Sequence, residues 1–399
     1  MSAFARPPPR PQWVEVRPNA VPRIDAREFV GRGGREKFEA LSLETPLVLT
    51  HAFEAVERSS SSSSTPPLQL RRFATDEAFA DRFFETFTTA EVSYQRKGNA
   101  RGARPELFDG PLAEVVAAMM TESHHDKSLY LLSEDLLDTA PEAEAALRSP
   151  LTLPPALFGK HDYFDLFPKK VRPKKNCAIL GGPGARSFLH ADPYEWQGLN
   201  YLFEGQKVWA FVRPSPATER ALGLQRVAPD AWDGAVGAGW KSDTVDLYHV
   251  EPRITDDGNV RLGLLPALAG AVPEEDMLAC VQEEGELVVI PPRWSHQVYH
   301  LTPALALAWQ VCTRATLPRV LRHVLEYCKE GGGGNGDGGG STILDEVMHK
   351  TPPGIPEEAE EELVWARAKI TATLQRALEL RYGREKGSRE WARLNDEGN

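Results

Sequence analysis

Two kinds of hydrophobic spacing divide the chain. From Cys177 onward the apolar residues come in short runs cut by glycine and proline: Cys177–Leu180, Ser187–His190, Leu199–Phe203 and Val208–Val212, then Met277–Val281, Glu286–Ile290, Gln297–His300 and Ala304–Val311. Short runs bounded by turn residues predict strands, and about eight at this spacing predict a sandwich or small barrel. Upstream the spacing is mixed. It predicts a helix around Phe38–Leu41, strands at Pro46–Thr50 and Leu68–Phe73, and a helix over Thr75–Phe87 with Phe79, Phe83 and Phe84 on one face. An amphipathic helix over Leu112–Met120 and a short strand at Leu129–Leu132 follow. Downstream, Leu317–Lys329 reads as a helix, and Pro356 opens a longer one that Gly383 can close. Leu363, Ile370, Leu374 and Ala377 give that last helix one apolar stripe, open either to docking on the barrel or to contact with a second copy.

These patterns set the expected organisation. Residues 1–22, dense in Pro and Arg, form a loose tail. Residues 23–316 form one unit, its core in 175–213 and 277–313 and an irregular insertion at 214–276. Residues 317–399 form a helical region with a flexible Gly-rich loop at 331–340, and Ser59–Ser64, closed by Pro66-Pro67, is a solvated loop. The formal charge of −11 argues against phosphate-backbone binding and suits a basic protein partner better. No run approaches the roughly 20 apolar residues that span a bilayer. The segment around Arg6 and Arg10 has no apolar stretch of the secretory kind. The four cysteines are scattered and form no metal-type pair, which suits a reducing compartment, cytoplasmic or nuclear. The basic run Lys169–Lys175 reads as a solvated loop, with a nuclear address as the sharper alternative.

The chemistry concentrates at His190-Ala191-Asp192. On a strand, residues two apart share a face, so both side chains can enter one cavity. His296 would complete a set of two imidazoles and one carboxylate, which leaves positions open on iron(II). An isolated HxD is weak, because ten histidines produce about half a match by chance; His124-His125-Asp126 is such a decoy. Context distinguishes the His190 copy. The turn Gly181-Gly182-Pro183-Gly184 precedes it, and a turn, an apolar strand and Pro291-Pro292-Arg293-Trp294-Ser295-His296 follow far downstream. Trp196 and Trp294 flank the ligands and read first as core.

The segments 181–214 and 285–313 together resemble the Jumonji (JmjC) domain, in its small cupin-like hydroxylase branch, the group of the phosphatidylserine-receptor-like lysyl hydroxylases. The resemblance implies a fold mainly of β with α additions (α+β), built on a double-stranded β-helix or jelly roll. It implies Fe(II), 2-oxoglutarate and O2, with hydroxylation of a protein side chain and release of succinate. The ligands would be His190, Asp192 and His296. Ser187, Asn200, Lys207 and Tyr130 match cosubstrate-binding positions, Lys207 pairing the far carboxylate. A lysine inside a barrel is costly unless it meets an anion, and this cosubstrate supplies one. Relatives often carry Thr or Asn where His300 and Ala308 stand here; Gln310 could replace part of that wall. An N-methyl-lysine or N-methyl-arginine demethylase, a non-catalytic cupin and a metal cupin acting without 2-oxoglutarate are the alternatives.

Overall fold

The computed structural model describes residues 13–53, 76, 81, 91–98, 106–121, 127–133, 153–159, 161–168, 176–226, 239–330 and 359–396. In chain order its strands are β1 (Val14–Val16), β2 (Asn19–Ala20), β3 (Arg23–Asp25), β4 (Leu47–Thr50), β5 (Glu91–Gly98), β6 (Glu106–Pro111) and β7 (Lys127–Ser133). Then come β8 (Asn176–Gly181), β9 (His190–Ala191), β10 (Gln197–Glu204), β11 (Lys207–Val212), β12 (Gln225–Arg226) and β13 (Trp240–Lys241). The series closes with β14 (Arg253–Ile254), β15 (Val260–Leu264), β16 (Met277–Gln282), β17 (Leu287–Ile290), β18 (Ser295–His300) and β19 (Ala304–Val311).

Eight of these make a jelly roll. One sheet contains the run β17-β10-β19-β8 and the other the run β9-β18-β11-β16, with neighbours antiparallel throughout. From β8 to β19 the chain passes back and forth between the two sheets, which encloses an inner face. The first sheet grows to nine strands by β3 and β4 beyond β17, and by β7, β5 and β6 beyond β8. The second grows to seven by β2 beyond β16, and by β13 and β12 beyond β9. Closing strands on one another in this way limits the exposed edges that sheets otherwise present.

Strand alternation decides what each face carries. On the first sheet Leu199, Leu287, Val289, Leu305, Leu307 and Leu180 are buried in one apolar cluster under α1 (Gly34–Glu44) and α2 (Leu112–Thr121), with Phe38, Leu112, Val116 and Met119 supplied by the helices. The alternate positions, Gly198, Asn200 and Leu202 on β10 with Ala304, Ala306, Ala308 and Gln310 on β19, stand on the opposite side. On the second sheet Trp209 and Phe211 share a cluster with Val298, Val288 and Ile290, so the two inner faces meet there.

Three expectations change. The tail assigned to residues 1–22 is structured over 13–22, for β1 pairs with β15 and β2 runs parallel to β16. Val14-Glu15-Val16 alternates, Val16 being buried and Val14 exposed, and a docked strand of three residues outweighs the surrounding prolines. The insertion is not irregular throughout: it holds β12 to β15 and two short helices, α4 (Pro216–Ala221) and α5 (Pro266–Ala271), after α3 (Pro155–Phe158) earlier in the chain. Among the described residues the C-terminal stretch forms three helices, α6 (Leu317–Glu330), α7 (Ala359–Tyr382) and α8 (Arg384–Asp396). Gly383, at φ +80°, ends α7 in the left-handed conformation and lets α8 start at once. The stripe Leu363, Ile370, Leu374 and Ala377 packs with Leu317, Val320, Leu321 and Val324 of α6 and with Phe164, Phe167 and Trp196. Each such buried side chain contributes about 1.5–3 kcal/mol. The serine run, the Leu68–Phe73 strand, nearly all of the Thr75–Phe87 helix, the basic run and the 331–340 loop lie outside the described residues, as does the His124 decoy. No helix among the described residues is long and apolar enough to cross a membrane.

Candidate metal centre

His190 and His296 sit on adjacent strands. The single rung between β9 and β18 joins these two residues, and their ring centroids lie 4.2 Å apart. Asp192 follows β9 directly, its Oδ1 being 3.7 Å from His190 Nε2 and 4.0 Å from His296 Nε2. One donor atom from each of the three lies within 4.8 Å of the others, so a single ion can bridge them. Both rings are fixed in the same manner. His190 Nδ1 lies 2.8 Å from the Phe188 carbonyl oxygen, and His296 Nδ1 lies 3.1 Å from that of Trp294. A carbonyl only accepts, so each Nδ1 carries the hydrogen and each Nε2 presents its lone pair to the common centre. Burial, then the neighbouring His190, pushes the His296 pKa down to about 4, which keeps that imidazole neutral and able to ligate.

The backbone around the ligands is strained. Of the four non-glycine residues with positive φ among the described residues, three flank ligands: Tyr194 (φ 56°) and Glu195 (φ 52°) follow Asp192, and Arg293 (φ 67°) precedes His296. Each costs about 1–3 kcal/mol, and such strain gathers at functional sites. Gly198 is required for a different reason: a Cβ there would lie 2.5 Å from Asp192 Oδ2. The side chain of His190 is 37% exposed and that of His296 only 3%, so the centre opens on the His190 side.

Deeper between the sheets lies a second polar group. Lys207 begins β11, directly opposite His300 on β18 and Gln282 on β16. Its side chain is 1% exposed, and Nζ donates to Asn200 Oδ1 at 3.2 Å. Gln282 brings no compensating charge, and its amide is already committed to Trp209, the Asn200 carbonyl and the Glu286 carbonyl. Among the described residues no carboxylate pairs with Lys207, and burial pushes its pKa down to about 7. His300 is fully buried, and neither ring nitrogen has a hydrogen bond of acceptable geometry. Burial, then the Lys207 ammonium, depresses its pKa to about 3, against a weak opposing effect of the Gly181 backbone. The Tyr130 ring meets the His300 ring edge-on at 5.8 Å, and burial raises the Tyr130 hydroxyl above its ordinary value. Gly181 makes room for this arrangement, since a Cβ there would fall 2.3 Å from His300 Nδ1. A buried ammonium with no carboxylate partner among the described residues, beside a buried imidazole whose ring nitrogens lack a hydrogen bond, forms a site complementary to an anion.

The residues singled out in the sequence are distributed as follows. His190, Asp192 and His296 converge. Asn200, Lys207 and Tyr130 gather around His300, four residues beyond His296 on the same face of β18. Ser187 is buried, and its Oγ accepts from the Val298 backbone N–H at 3.0 Å, so it ties the loop before the first ligand to β18. Gln310 faces inward but lies opposite Gly198, at the metal end, whereas Ala308 is opposite Asn200. Alternation thus sets Gln310 one pleat repeat nearer the metal end than Ala308. Trp196 and Trp294 are both buried in apolar clusters. His300, noted in the sequence only as a departure, supplies the missing polar side. The β11–β18 register that turns it toward Lys207 has no local signal.

A jelly roll with two histidines and one carboxylate on its inner face defines the class, a cupin with a candidate mononuclear metal centre. A family model described as the cupin-like domain matches residues 36–310, more than half of the chain. The protein belongs to this cupin-like family of Jumonji type, and the match spans all eight jelly-roll strands except the last residue of β19.

Proposed function

We propose that the protein is an Fe(II)- and 2-oxoglutarate-dependent oxygenase that hydroxylates a protein side chain, of the lysyl-hydroxylase type among Jumonji enzymes. The observation that carries this reading is Lys207, a fully buried cation with no carboxylate partner among the described residues, on the same inner face as a triad suited to iron. His296 faces Phe211 and His300 faces Lys207 on the paired strands, so the two sites are four residues, about 13 Å, apart along β18. An extended lysine side chain and a five-carbon diacid span that gap between them. In this reading the keto-acid end meets the metal, and the far carboxylate meets Lys207, Asn200, His300 and Tyr130. Iron, when bound, supplies the oxygen activation; the protein orients the diacid, excludes water and keeps the two Nε2 lone pairs available. Lys207 favours this over a metal cupin that works without a diacid.

The test is aerobic incubation of Fe(II)-loaded protein with 2-oxoglutarate and a peptide library, with succinate and +16 Da peptide products read by mass spectrometry. Succinate should form in the wild type and vanish in Asp192→Ala. Its persistence in that variant would sink the proposal, and formaldehyde release from methylated peptides would redirect it to demethylation.

A further inference from the structure

Both turns that present ligands are strained, and one side chain reaches between them. Arg293, three residues before His296, places Nε 3.9 Å from Glu195 Oε1, three residues after Asp192. Its Nη2 donates to Glu219 Oε1 at 2.7 Å. Glu219 lies on α4, the first helix of the 214–276 insertion, whose start is fixed by a Ser215–Thr218 capping box. Arg293 therefore joins the His296 turn, the Asp192 turn and the insertion. The insertion also supplies β13, which pairs Lys241 with His190 itself, and Leu247, whose backbone N–H donates to the Gln297 side chain on β18, so it borders both ligand-bearing strands.

We propose that Arg293 is a positioning residue of the metal centre, and that through Glu219 the insertion sets the spacing between Asp192 and His296. The inference rests on the metal reading above but not on the diacid. The guanidinium fixes its direction through the hydrogen bond to Glu219 and stands at ion-pair distance from Glu195, so it sets its charge between the two turns as a flexible lysine ammonium does not. Pairs this exposed contribute little to folding, so the function of this one is geometric. The left-handed backbone at Arg293 makes the point separable, because glycine there removes the ion pairs while relieving strain.

The experiment is titration of the full chain with Co(II), following the visible ligand-field bands and the Kd, alongside thermal unfolding. Arg293→Gly should weaken Co(II) binding about tenfold, the usual size for losing an outer partner of a ligand, and shift the bands while Tm holds or rises. Glu219→Gln should move both in the same direction by less. Arg293→Asn, which tolerates positive φ, serves if the glycine variant does not fold. A Kd within twofold of wild type with unchanged bands overturns the proposal, as does a fall in Tm with the spectrum intact. Failure of the wild type to bind Co(II) overturns the metal reading and this inference with it.

Discussion

Replacing Lys207 with methionine tests what the buried ammonium does. In the diacid-free protein the charge is a burden. Burial holds the Lys207 pKa at about 7 against the ordinary 10.5, and at about 1.4 kcal/mol per pH unit the penalty at neutral pH or below approaches 5 kcal/mol. Losing the bond to Asn200 Oδ1 returns about 1–3 kcal/mol of that. Lys207→Met should therefore stabilise the diacid-free protein by about 2–4 kcal/mol near pH 7. The sign follows from the direction of the shift. The unfolded chain holds the lysine proton more tightly, so the penalty is complete below about pH 7 and fades as pH rises toward 10.5. Urea unfolding at pH 7 and pH 9.5 should show the variant's advantage shrinking. Mn(II)-loaded wild type should gain stability when 2-oxoglutarate is added, and the variant should not, since its anion partner is gone. Destabilisation of the diacid-free protein by Lys207→Met, or undiminished stabilisation of the variant by 2-oxoglutarate, would refute the reasoning.

Two further outcomes follow from the same geometry. Gly198→Ala places a methyl 2.5 Å from Asp192 Oδ2 and 3.2 Å from Ile290 Cβ; metal affinity should fall about tenfold or more for a fold cost of about 1–3 kcal/mol, and an unchanged Mn(II) Kd would contradict it. His300 is buried neutral with a pKa near 3 rather than 6.5, so the wild type loses stability as pH falls from 6.5 toward 3. By pH 4.5 the loss from this residue reaches about 3 kcal/mol. His300→Asn should flatten that slope in urea titrations, and parallel wild-type and variant profiles would count against it.

The candidate triad was legible because its signal is local. His190 and Asp192 are two apart on a strand edge, and His296 follows a Pro–Pro turn that no ordinary core histidine needs. The apolar runs marked seven of the eight core strands and touched β9 only at His190, since an apolar run bounded by turn residues leaves a trace within a few residues. What escaped notice depends on pairing. β12 and β13 are two residues each and too short to show a period. His300 became part of the Lys207 site only through the β11–β18 register. The ties among Arg293, Glu195 and Glu219 depend on three residues with positive φ, a conformation that Arg, Glu and Tyr do not advertise.

The single rung between β9 and β18 implies an uneven distribution of local stability. His296 belongs to a six-residue strand paired along its whole length with β11, whereas β9, which carries His190 and leads into Asp192, lies between β13 and β18 but is two residues long and has one rung to β18. Segments with so few backbone bonds exchange their amide hydrogens through small openings, far below the global unfolding energy. The candidate centre thus has one residue on a long ladder and two on a short one. An ion bound there acts as a rivet, lowering the exchange rate of residues 188–195 selectively and leaving that of β18 almost unchanged.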